Sequence, residues 1–113
     1  MNFYDKVHEM VKALKETNEY KTFLNLKKEI KADPEKSKML KDFKDKQNEM
    51  QMEYIKTNGQ IDESKNKEMQ NLYSILIQDV KMREYLESEM KLDVMLADMQ
   101  KIIGEAVKDL VEF

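Results

Sequence analysis

The sequence predicts an all-α protein, a bundle of four to five helices with a long C-terminal helix. Three observations carry this. Of its 113 residues 38% are charged, well above the usual quarter, which suits long solvated helices with many ion pairs. There are only 2 Gly and 1 Pro, too few turn formers for an all-β chain. Finally, Leu92, Leu96, Met99, Ile103, Ala106 and Leu110 follow one another at spacings of 4, 3, 4, 3 and 4. This is an a/d seam, read here as holding to the chain's end, and a seam that regular needs a partner surface.

The elements follow in order. Asn2 can cap a first helix, with Asp5 as the acid of a short capping box. Tyr4, Val7, Val11 and Leu14 share its apolar face, with Met10 beside it. Thr17 or Asn18 can cap a second helix, with Glu19 in its first turn and Phe23, Leu26 and Ile30 on one face. The same stretch is also compatible with one bent helix from Phe3 to Lys31. Asp33-Pro34 is the sharpest boundary, a good N-cap followed by the residue preferred at the first helical position. A third helix runs from Pro34 to about Asn58, with Leu40, Phe43, Gln47, Met50 and Tyr54 along its seam. Gly59 supplies the left-handed residue that ends it. Gln60 to Glu63 reads as a loop, with Asp62 or Ser64 capping a fourth helix whose face is Met69, Leu72, Tyr73, Leu76 and Val80. The run from Leu72 to Ile77 has the composition of a buried strand, but no second strand exists to pair with it. Asp79 is the candidate cap of the final helix. Whether the fourth and fifth helices are separate is left open by the sequence.

Several function classes drop out. Cysteine is absent, which excludes disulfides, thiolate metal sites, iron–sulfur ligation and a cysteine nucleophile. No apolar run approaches the ~20 residues of a membrane span. Asp5 and Glu9 interrupt the N-terminus where a signal peptide needs a continuous apolar stretch. The chain is therefore expected to be cytoplasmic. A formal net charge of −3 argues against general nucleic-acid binding.

Each candidate for chemistry has a plainer reading. His8 is the only histidine. A general base needs an orienting acid and a nucleophile in reach, and a surface histidine is the simpler assignment. A di-metal four-helix site needs Glu-x-x-His on two helices, which one histidine cannot supply within one chain. Lys36, Lys38, Lys41, Lys44 and Lys46 are a possible phosphate-contacting patch, but their spacing scatters them around the helix and Asp42 and Asp45 interrupt them. The 10 methionines either fill a loosely specified core or line an adaptable exposed groove, with core filling the preferred reading. No catalytic, cofactor or metal residue is assigned.

Motifs spread along the chain have a familiar order. They are Asn2-Phe3-Tyr4-Asp5, Ala13-Leu14-Lys15-Glu16 with Glu19-Tyr20, Asp33-Pro34-Glu35, Phe43 with Gln47 and Gln51, Arg83-Glu84-Tyr85-Leu86, and Leu96-Ala97-Asp98 followed by Gln100 to Ala106. The chain resembles the YlbF/YmcA/YheA-like family of small bacterial helical proteins, nearest its YheA-like branch. The resemblance implies an elongated, self-associating helical fold in the cytosol of a Gram-positive type bacterium. Some relatives regulate competence, biofilm formation and sporulation, in a complex that assists an endoribonuclease in RNA maturation. Those relatives hold iron–sulfur clusters on cysteines, which this chain lacks, and the family pattern brings no catalytic residue.

Two functional expectations follow. One is a non-enzymatic interaction or regulatory module that forms a homodimer through Leu92, Leu96, Met99, Ile103, Ala106 and Leu110, with room for further protein partners. The alternative is an RNA-processing accessory that touches an endoribonuclease complex, or RNA itself through Lys36 to Lys46.

Overall fold

A computed structural model describes residues 2–113. It contains α1 (Phe3–Lys15), α2 (Asn18–Lys31), α3 (Pro34–Lys56), α4 (Glu63–Leu76) and α5 (Val80–Ala106), followed by a 3₁₀ turn at Lys108–Leu110. No strand occurs among the described residues, so the all-α expectation holds and the 72–77 run is helical through Leu76.

Each helix begins on a short polar side chain that takes up N–H groups left without helical partners. The Asn2 side chain accepts from the Asp5 amide at 2.9 Å, and Asp5 accepts from the Asn2 amide at 3.4 Å, completing the capping box. Thr17 resolves the choice between one bent helix and two. Its hydroxyl donates to the Leu14 carbonyl at 2.7 Å, closing α1, and accepts from the Tyr20 amide at 3.2 Å, opening α2. Asp33 accepts from the amides of Glu35 and Lys36. Asp62, not Ser64, caps α4, accepting from Ser64 and Lys65. Asp79 caps α5 through the Met82 amide at 3.1 Å, so α4 and α5 are separate helices.

α3 stops at Lys56, two residues short of the expected end. The Gly59 amide donates back to the Tyr54 carbonyl at 2.8 Å. Both Asn58 (φ 56°) and Gly59 (φ 97°) are left-handed, so the reversal uses two residues where one was expected. Asn tolerates that region better than other side-chain-bearing residues.

The chain divides into two compact units. One holds Leu26–Tyr85. Its buried apolar residues are Leu26, Ile30, Phe43, Leu76, Met82 and Tyr85. α3 and α4 form an antiparallel hairpin. Near its tip Lys65 pairs with Glu49 and Glu53; one turn further down Lys46 meets Glu68 at 2.7 Å; deeper still the Phe43 and Tyr73 rings lie 5.9 Å apart. Exposed pairs contribute at most about 1 kcal/mol each, so they set register more than stability. Truncating Leu76, which is 1% exposed, to Ala should destabilise this unit by about 2–5 kcal/mol in urea denaturation, whereas Ile75→Ala, at the half-exposed neighbouring position, should cost less than about 1 kcal/mol.

Lys36 Nζ lies 2.8 Å from Asp79 Oδ2, joining the start of α3 to the start of α5 within this unit. The hydrogen bond from Lys36, helped by the Met82 amide, holds the Asp79 carboxyl below its ordinary 3.8. A depressed folded-state value means stabilisation that is present above the unfolded value and is lost as the pH falls through the folded one. Asp79→Asn keeps the cap oxygen and removes the charge. The wild type should therefore exceed this variant in urea midpoint at neutral pH, by a small margin because the pair is part-exposed. The difference should shrink as the pH drops below 3.8 and in high salt.

The other unit holds the chain up to Asn25 together with Leu86–Phe113, and so contains α1, the start of α2 and most of α5. Among its described residues only Leu92 and Ser88 are buried. α5 ends at Ala106 and the turn after it is 3₁₀. The seam is therefore α-helical as far as Ala106, and Leu110 sits beyond the helix, where sequence spacing had placed it on the same rod.

Candidate interaction surface

Side chains three and four apart on an α-helix fall on one face. Along α5 that rule puts Met82, Tyr85, Ser88 and Leu92 on a single stripe, and all four are buried. The stripe continues through Leu96, Met99, Ile103 and Ala106, and there its cover ends. Leu96 is 38% and Ile103 45% exposed, Met99 is half-buried and Ala106 is exposed. Leu110, in the terminal turn, is 85% exposed. Of the six seam residues, Leu92 alone is buried by its own chain.

Ile102 and Val107 flank the uncovered part and are themselves exposed. Fourteen of the twenty-one exposed large hydrophobic side chains belong to this one unit, against one of the seven buried ones. A helical unit with so little interior is one whose apolar surface faces outward. α1 adds Phe3 and Tyr4, whose rings meet edge to face at 5.3 Å in an exposed position.

A second apolar feature lies on the opposite side of α5. An open groove of about 580 Å³ is lined by Met90, Val94 and Met95, with Glu19, Glu87 and Lys91 at its rim. The methionines thus divide between roles: Met82 is buried, while Met90 and Met52 are largely exposed. Seam counting passed over Met90 and Val94. Their signal was an i,i+4 apolar pair half a turn away from the a/d positions.

Other candidates are placed apart. His8 is exposed on α1. No group of three His, Asp or Glu able to hold a metal ion occurs among the described residues. In the lysine patch, Lys36 is committed to Asp79 and Lys46 to Glu68. Lys38 and Lys41 are exposed beside them. Part of the positive charge available to a phosphate is therefore already neutralised. No helix among the described residues is long and apolar enough to cross a membrane.

Comparison with known proteins matches residues 3–108 to the family described as control of competence regulator ComK, YlbF/YmcA. A UPF0342 protein of Symbiobacterium thermophilum is 41% identical over 104 residues, covering 92% of this chain and 92% of that protein. One from Caldicellulosiruptor saccharolyticus is 42% identical over 107 residues, 94% of this chain and 88% of that one. Among solved structures, YheA from Bacillus subtilis superposes with a TM-score of 0.67 at 22% identity, covering 97% of this chain and 99% of that one. Bacillus subtilis RicA, solved in complex with RicF, gives 0.60 at 16% identity, covering 96% of each. At those identities the structural matches establish a common fold. With the family pattern spanning residues 3–108 and UPF0342 relatives above 40% identity over nearly the whole length, this chain belongs to the YlbF/YmcA family.

Proposed function

We propose that the protein is a non-enzymatic interaction module of a regulatory kind, which pairs with a second copy of itself through its C-terminal helix. The observation that carries this is the loss of cover along the α5 stripe after Leu92. Leu96, Met99, Ile103 and Ala106 form the contact, with Leu92 anchoring its upper end and Leu110 reaching it from the terminal turn.

Magnitudes decide which residues matter. Fully burying a large aliphatic side chain contributes about 1.5–3 kcal/mol. Scaled by the exposure that remains, Leu96 and Ile103 supply about 2–5 kcal/mol over two copies, near the bottom of the 4–15 kcal/mol lost on association. Ile102, Val107 and Leu110 raise the gross gain to about 8–17 kcal/mol. Ile102, Val107 and the terminal Leu110 are therefore as necessary to a stable pair as Leu96 and Ile103.

A second reading replaces the copy with a different protein. Its support is the RicA–RicF complex, in which a protein of this fold is solved with a partner. The RNA-accessory reading is weaker, because ion pairs already engage Lys36 and Lys46.

Leu96→Glu places an unpaired charge in the contact twice per dimer. It should raise the dimer dissociation constant at least about 100-fold, leaving a monomer in sedimentation velocity, with helical circular dichroism retained. An unchanged dimer would rule out this surface.

A further inference from the structure

From the order of residues on the uncovered stripe and the charge around it we infer the orientation of the pair: two copies of α5 lie antiparallel, related by a two-fold axis level with Lys101. This rests on the self-association proposed above and adds its geometry. Leu96, Met99, Ile103 and Ala106 are spaced 3, 4 and 3. The series reads the same from either end, so a reversed second copy sets Leu96 against the other Ala106 and Met99 against the other Ile103. Every member then meets an apolar residue, as it also would in a parallel, in-register pair, so the seam sets the level of the axis and charge decides the orientation.

The flanks agree. In a reversed pair each flank meets its own counterpart. Ile102 then faces Ile102 of the second copy beside the axis, which accounts for an isoleucine standing 70% exposed on a single chain. Gln100 faces Gln100 on the other flank, and an amide both donates and accepts.

Charge separates the two orientations. Residues 86–113 carry seven acids and three bases. A parallel, in-register pair sets each acid level with its own copy and aligns the two helix dipoles. Reversal opposes the dipoles and brings Lys91 of one copy level with the terminal turn of the other, which carries Asp109 and Glu112. It also keeps Ser88 and Leu92, the buried residues of this unit, toward opposite ends of the pair, so that the uncovered stretch does the pairing.

The absence of cysteine makes the test direct, because single-cysteine variants of the full chain have one possible self-link. The Ile102→Cys and Leu96→Cys variants are oxidised with glutathione disulfide at a concentration where sedimentation shows a dimer, and covalent dimer is followed on non-reducing gels. In a reversed pair, Ile102 positions are adjacent. Leu96 positions stand ten residues apart along the axis, about 15 Å, beyond the ~7 Å that a disulfide spans between Cα atoms. I102C should therefore link at least about tenfold faster than L96C, and L96C should link to an Ala106→Cys variant only when the two are mixed. Faster linking of L96C to itself, equal linking at both positions, or a dimer that links at neither position and in no mixture, would overturn the orientation while leaving self-association in place. A monomer in sedimentation would overturn both.

Discussion

The constraint on which the rest of this molecule depends is the amount of apolar surface that each part of the chain can cover with its own residues. Between Leu26 and Tyr85, α3 and α4 fold back on one another, and six apolar side chains become buried. The remaining residues run as helices with nothing comparable inside. Their caps and periodicity make them helical, but an isolated helix of 13 residues, such as α1, is marginal in water unless an apolar face is covered. The asymmetry is therefore energetic as well as geometric. One unit is held by its core, while the other has helix-forming sequence and an interior of little more than Leu92 and Ser88.

This division explains why the ion pairs lie where they do. Lys46 with Glu68 and Lys65 with Glu49 and Glu53 run along the hairpin, while Lys36 ties the start of α3 to Asp79. Each fixes a register that burial alone leaves loose, because a helix can slide by a turn and keep an apolar stripe inward. Cations that serve this purpose are less available to outside anions. A lysine-rich helix with a formal excess of positive charge can thus be a poor phosphate site.

Much of the fold was legible because it rests on short-range chemistry. Asn2, Asp33 and Asp79 were readable as caps since a cap needs only one acceptor two or three residues before its donors. Thr17 and Asp62 were each one of two candidates, and the hydrogen bonds chose between them. The end of α3 was misjudged by two residues because Asn58 takes a left-handed conformation that composition alone assigns to Gly59. The seam of α5 was legible as a period. Its cover was not, since periodicity states that a face is apolar and leaves open what lies against it. Nor does it report that the helix gives way to a 3₁₀ turn before Leu110. The neutralisation of Lys36 was equally hidden, because its acid lies at position 79, beyond any local pattern.

One stripe serves two purposes on the same helix. Met82 and Tyr85 belong to the buried interior of the central unit; Leu96 and Ile103, on the same line of α5, lack cover. Nothing in residue type distinguishes the halves, since Leu and Met occur in both. What changes is the supply of neighbours. An apolar stripe without neighbours of its own is covered only by a surface from outside the chain. Because that stripe is already helical, ordering it on contact costs less entropy than folding a loose segment would.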